Sequence, residues 1–317
     1  MDIEPAPAPV AAARILHARA SRNRLSSLFS LGCEPAPIYS SAALRLMRKA
    51  QFAESPAQRA MRVAGAIRGA LARDGVRGCL ASLDVIARDK AIAADGLPDP
   101  DGALTKPDGL CGAVSDLSLD TLMAAFGRGL YPAAHMGPLR WWAPQTRALA
   151  RISEILGRPA DGGPIALSFD VNFEHALVAD PNEPALSPPL KWAYATLYDA
   201  GFAHCFEAYG RDGTPVAHGF GVAVGDVFTL GGLVIRDERH AQAFFQTLAR
   251  RLAALGYEIL DARRPSARTH MFGFTPTPRA VYNARLLLGL ANERIGKWTT
   301  TTRPAIPATR LAHDRAA

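Results

Sequence analysis

Residues 215–262 read PVAHGFGVAVGDVFTLGGLVIRDERHAQAFFQTLARRLAALGYEILDA. Two apolar runs meet at Gly225-Asp226, a pair suited to a tight hairpin turn because glycine accepts a positive φ at little cost. The stretch from Glu238 then spaces its apolar residues at helical intervals up to Gly256. YEILDA follows as a short strand. Working outward, FAHCFEAY (202–209) reads as a strand and PPLKWAYATLYDAG (188–201) as a helix closed by Gly201. IALSFDV (165–171) is a further strand. The order β-β-β-α-β indicates an α+β fold; a doubly wound sheet would alternate strand and helix throughout.

Further upstream, SLDTLMAAFGRG (118–129) predicts a helix capped by Ser118, stopped at Gly129, with Leu119, Leu122, Met123 and Phe126 on its buried face. Tyr131-Pro132 is expected to break away into a loop. The Pro-Asp-Gly-dense segment 93–109 reads as a linker or extended arm. Before it, Ser55, Pro56 and Gln58 form a helix start with a capping box. Gly75 ends that helix, and Met61, Ala64, Ile67 and Leu71 share one face. Residues 1–13 are Pro/Ala-rich and are expected to lack fixed structure. These boundaries give a basic helical extension (1–94), a small lobe (95–164), the α+β core (165–290) and a flexible tail (291–317).

The formal net charge is +7, and residues 1–94 carry all of it, because basic and acidic side chains balance over the remainder. An excess of this kind suits an anionic partner such as RNA, or simply a solvated helical face. No aromatic residues interleave with the arginines to stack on bases. Cys33, Cys79, Cys111 and Cys205 lie far apart without ligand spacing, so neither a zinc site nor a disulfide framework is indicated, and His240 and His270 likewise lack a ligand-spaced partner. No apolar run reaches membrane-spanning length, and the start lacks the order of a secretory signal. A reducing cytoplasm is the expected compartment, with no membrane partner.

The segments DGLCGAVSDLSLDTLMAAFGRGLYP (108–132) and LRWWAPQTRAL (139–149) resemble the start of the leucyl/phenylalanyl-tRNA-protein transferase family. AYATLYDAGFAHCFEAY, GVAVGDVFTLGG and ILDARRPSARTHMFGFTPTPRAVY are similar to its later motifs, in the same order, so the likeness spans about residues 105–285. It implies a GNAT-like acyltransferase core behind a smaller lobe. It also implies transfer of an amino acid from aminoacyl-tRNA to the amine of a protein opening with Arg or Lys, tagging that protein for degradation, with no cofactor and no metal. The family's catalytic pair, an Asp and a Gln two residues apart on one strand, falls on Asp261 and Arg263. Alternation puts both on one face of the strand. Phe126, Tyr131, Trp141, Trp142, Gly232 and Arg264 are the implied substrate-binding positions.

Four positions depart from the family pattern. Arg263 replaces the Gln, and it offers donors but no carbonyl to orient an amine. Gly232 stands where the family has a Glu, and Ala133 and Ala185 where it has tryptophans. The paired Trp141 and Trp142 read as a packing plug as much as a binding surface. A histidine in an alternating strand is usually structural, which is the reading for His204. Two other readings stay open: a catalytically silent RNA- or protein-binding relative, and an acyl-CoA-dependent acyltransferase. The turn at Arg236-Asp237-Glu238-Arg239-His240 lacks glycines for a pyrophosphate and argues against the second.

Overall fold

The computed structural model describes residues 42–88, 96–134, 139–159, 163–178, 186–292 and 294–298. Residues 1–13, Cys33 and Ala185 lie outside them, so expectations for these positions have no structural counterpart. The chain is α+β, built on one large mixed sheet and one small antiparallel one.

The N-terminal helix α1 (Ala42–Phe52) docks on the body through two buried side chains among those described, Arg48 and Phe52. Arg48 donates from Nε to Glu174 at 2.8 Å and from Nη2 to Asp199 at 2.8 Å. Phe52 packs edge-on against Trp192, with ring centroids 5.4 Å apart. Helix α2 (Pro56–Arg88) opens with the expected capping box: Ser55 N–H donates to Gln58 Oε1 and Gln58 N–H to Ser55 Oγ. Gly75, at φ 66, interrupts it. The apolar face at Met61, Ile67 and Leu71 is exposed, Met61 by 67%, whereas Ala66 is buried. Helical spacing identifies a stripe but not the surface that covers it.

Arg48→Ala is expected to release α1, because it removes charge-assisted hydrogen bonds worth about 1.5–3 kcal/mol and leaves two carboxylates without their cation. Limited proteolysis within residues 42–52 is the readout. Wild-type resistance in the variant would show that Phe52 alone holds the helix.

The small sheet joins β1 (Leu110–Ala113), β2 (Tyr131–Ala133) and β3 (Arg140–Trp142) in the order β1-β3-β2. Tyr131-Pro132 is therefore a strand, not the expected loop. Tyr131 pairs with Trp142 and Pro132 with Trp141, and proline is tolerated because β2 is an edge strand. Helix α3 (Leu119–Gly127) begins at Ser118, whose side chain accepts from Thr121 N–H, and Gly129 follows it at φ 77.

The large sheet contains β4 (Thr146–Arg151), β5 (Ala166–Phe169), β6 (Ala203–Tyr209), β7 (Pro215–Val224), β8 (Val227–Ile235), β9 (Ile259–Asp261) and β10 (Thr275–Pro278). Their spatial order is β10-β4-β9-β8-β7-β6-β5. One of its inner strands, β4, thus comes from the stretch before residue 165. Only β8 and β9 run parallel, joined by the crossover helix Ala241–Ala254; every other pair is antiparallel. Gly225 takes φ 57 in the hairpin turn, and the end of helix Arg279–Gly289 presses against it: a Cβ there would meet Gly289 O at 2.4 Å. Glycine is required on both counts.

Alternation along the strands sends side chains into two cores. Phe206, Phe228, Phe244, Leu248 and Leu260 fill the face under the crossover helix. Phe220, Val222, Val227 and Ile259 fill the other, together with α3, the helices Phe173–Val178 and Pro188–Asp199, and the paired tryptophans. Of the segment expected to be a tail, Trp298 is buried in the first core, stacked on His204 with centroids 3.7 Å apart.

Candidate functional site

β9 ends at Asp261, whose side chain shares a face with Ile259 and is fully buried, at 0% exposure. Its neighbours across the sheet are Leu149 of β4 and Thr229 of β8. Arg147, two residues before Leu149 on the same face of β4, is 2% exposed and forms an ion pair with Asp261 Oδ2. Thr229 Oγ1 donates to the same oxygen at 3.1 Å. Asp261 Oδ1 accepts from the backbone N–H of Arg263 at 2.8 Å. Every contact of this carboxylate is thus to a positive or donating group, as a buried charge demands.

The chain turns sharply after β9. Arg263 has φ 64, and Arg264 N–H donates to Ala262 O at 2.7 Å across it, the three-residue arrangement of a γ-turn. A non-glycine residue in this region is strained by about 1–3 kcal/mol, a cost that surrounding contacts must offset. Here they are specific. Arg263 Nη2 donates to Tyr194 Oη at 2.9 Å, and its guanidinium lies 4.7 Å from the Tyr131 ring centroid. Arg264 donates from Nε to Tyr131 Oη at 3.2 Å and from Nη1 to Asp108 Oδ2 at 3.1 Å, and it lies 5.4 Å from the Trp142 ring. Arg147 covers the Tyr282 ring at 4.4 Å and donates to Gly129 O at 3.3 Å.

Three guanidinium groups therefore meet two carboxylates in a tyrosine-walled cluster. Burial works against the charge on Arg147, yet the Asp261 carboxylate holds its pKa above the ordinary arginine value. Burial opposes the charge on Arg263 too, and the Tyr194 and Tyr131 hydroxyls raise its pKa, while Arg147 opposes them. The Tyr282 hydroxyl is pushed up to about 12, first by burial. All three stay in their neutral-pH forms: two cations and an un-ionised phenol.

Of the residues singled out in the sequence, Asp261, Arg263, Arg264, Tyr131 and Trp142 come together here. Phe126 and Trp141 lie in the adjoining apolar core. Trp142 Nε1 donates to Ala133 O at 3.2 Å, so its polar edge is satisfied internally. Gly232 stands three residues beyond Thr229 on β8, beneath the Phe220 ring, where a Cβ would meet Phe220 Cε1 at 2.9 Å. Phe220 fills the space that a side chain at this position would need.

Arg147, Tyr194, Tyr282, Thr229 and Asp108 were not anticipated. A signal for Arg147 exists in TRALAR (146–151): read as a strand, it puts this arginine on the apolar face with Leu149, where it needs a carboxylate. The others belong to the cluster only because distant segments meet.

Two further features lie apart from the cluster. A cleft of about 770 Å³ lies beside the end of β4 between Arg151, Glu154, Tyr257, Val281 and Arg285, and none of Arg147, Asp261 or Arg263 lines it. On the opposite face of the sheet, His204 Nδ1 lies 2.9 Å from Asp170 Oδ2, beneath Trp298, whose backbone N–H also donates to Asp170 at 2.7 Å.

Fold and site define an α+β protein whose mixed sheet carries a buried carboxylate in an arginine- and tyrosine-rich cluster at one end. The sequence profile described as leucyl/phenylalanyl-tRNA protein transferase matches residues 148–287, which include Tyr194, Thr229, Asp261, Arg263, Arg264 and Tyr282. The leucyl/phenylalanyl-tRNA–protein transferase of Thiobacillus denitrificans is 31% identical over 205 residues, covering 61% of this chain and 90% of the relative. That of Aromatoleum aromaticum is 33% identical over 207 residues, covering 62% and 85%. That of Nitrosospira multiformis is 30% identical over 222 residues, covering 65% and 95%. The chain belongs to the leucyl/phenylalanyl-tRNA–protein transferase family.

Proposed function

We propose that this protein transfers leucine or phenylalanine from an aminoacyl-tRNA to the α-amine of a protein's N-terminal residue, in the cytoplasm, on a GNAT-like core. The observation that carries the reading is its likeness to these transferases over 85% or more of their length, through a matched segment that contains the Asp261 strand and turn. In the reaction, the acceptor amine attacks the ester carbonyl, a C–N bond forms and the ester C–O bond breaks. The 3′-terminal ribose oxygen of the tRNA leaves and takes up the proton that the amine gives away. The step draws on no acyl-CoA, and at the turn after β8 Asp237 accepts from Arg239 N–H at 3.0 Å, so a carboxylate already occupies that donor.

Asp261 acts here as a positioning residue. It is enclosed by Arg147, Thr229 and the Arg263 backbone, so its contribution is to fix the γ-turn that sets the Arg263 side chain. Arg263 and Arg264 are the groups offered to substrate, with Tyr131 and Trp142 as walls. A site held this closely preorganises the reacting groups.

The resemblance implies an acceptor opening with Arg or Lys, and such a peptide is the first to test. Radiolabelled leucine or phenylalanine on charged tRNA is expected to appear in peptide in an enzyme-dependent way. Absence of transfer at high enzyme concentration, across peptides of every N-terminal class, would remove the transferase reading.

A further inference from the structure

We propose that the acceptor received by this cluster opens with an acidic residue, Asp or Glu, whose side-chain carboxylate binds Arg263 and Arg264. The inference rests on the transferase reading and names the substrate class of the same site.

The charge count comes first. Arg147 is neutralised by Asp261 within the protein interior, which leaves Arg263 and Arg264 facing one carboxylate, Asp108. A basic N-terminal side chain would add a cation to that surplus. An acidic one would complete it, and Arg is the side chain whose planar fork matches a carboxylate.

Hydrogen-bonding capacity in the cluster is also unused. Arg263 Nε is buried without a partner, an expensive state for a donor on a charged group. The residue itself is only partly buried.

Asp108 receives Arg264 through Oδ2 at 3.1 Å and through its main-chain oxygen at 2.6 Å, in a loop tied down by Gln145 N–H to Oδ1 at 2.9 Å. Arg264 thus already binds a carboxylate in this setting, and its side chain remains 30% exposed. The Glu that the family pattern would place on β8 is Gly232, lying under Phe220, so that position supplies no counter-charge for a basic acceptor.

A tRNA phosphate is the other anion to consider. The reactive end of an aminoacyl-tRNA is an ester on a ribose, with the nearest phosphate across the sugar. The acceptor's first side chain, by contrast, is attached to the carbon that bears the attacking amine. Arg263 and Arg264, the groups offered to substrate, are therefore assigned to the acceptor.

The test uses the full chain, charged tRNA and peptides identical except for a first residue of Asp, Glu, Ala, Arg or Lys. The KM for Asp- and Glu-initiated peptides is expected to lie about tenfold below that for the Ala-initiated one, the scale of one charge-assisted contact. Arg263→Gln should abolish the difference between acidic- and Ala-initiated peptides. Arg264→Gln, at a part-exposed side chain, should reduce it and serves if the first variant does not fold.

Preference for Arg or Lys would overturn the proposal and leave the transferase reading intact. A loss in Arg263→Gln that is equal for all peptides and appears as weaker tRNA binding would assign the arginines to phosphate and overturn it as well. If no peptide is modified, the transferase reading fails. Fluorescence anisotropy then decides the acidic site alone, with equal binding of Asp- and Ala-initiated peptides counting against it.

Discussion

Asp261→Ala is expected to lower the unfolding free energy by about 3–5 kcal/mol, the range for breaking a buried ion pair by removing one partner. The cost arises less from the lost attraction than from what remains. Arg147 would stay 98% buried by fold geometry, with its charge uncompensated, since its other polar contacts are Gly129 O and the Tyr282 hydroxyl. Removal of the carboxylate also frees the Arg263 N–H and withdraws an internal support from a turn at positive φ.

Urea denaturation measures the change. The double variant Arg147→Met/Asp261→Leu should recover much of it, because two apolar side chains of suitable volume leave no charge stranded. A single variant within about 0.5 kcal/mol of wild type, the scale of ordinary surface substitutions, would show that water reaches the pair and that the cluster is looser than described. Loss of transfer in Asp261→Ala would consequently report folding together with chemistry. Arg263→Gln is the cleaner chemical probe.

Trp142→Ala should cost about as much, roughly 3–5 kcal/mol, as for other buried tryptophan truncations. Trp142 is 1% exposed, it joins β1 and β2 across the small sheet, and its indole N–H is satisfied by Ala133 O. Its ring also backs Arg264. Two measurements separate the roles. Thermal unfolding should fall, and in the fraction that remains folded the KM for the acceptor should rise because Arg264 loses the surface it rests on. A stability loss with unchanged KM would assign Trp142 to packing alone. Trp141, with no arginine against it among the described residues, is expected to affect stability only.

The paired tryptophans show how the two levels of description divide. Their apolar bulk in a short run identifies a packing centre from sequence. That Trp142 also backs a charged side chain depends on Arg264, more than a hundred residues later, arriving at the same place. Tyr131 is similar. As a residue before proline it reads as a break, but pairing with Trp142 supplies the hydrogen bonds that turn it into a strand. Arg147 is the sharpest case: its face was readable from TRALAR, whereas its partner was fixed only by β4 lying beside β9.

By itself the sequence determined the local elements of residues 118–129, 165–171, 188–209 and 215–262, the hairpin at Gly225-Asp226, the capping box at Ser55 and the family likeness. Each of these depends on side-chain period, capping chemistry or backbone freedom within a few residues. Only the tertiary structure decided that the face of Met61, Ile67 and Leu71 is left exposed, that Phe220 occupies the space over Gly232, and that Asp261 is enclosed by Arg147 while Arg264 stays part-exposed. Burial and charge pairing are properties of segments distant in the chain that become neighbours in space, and no local pattern carries them.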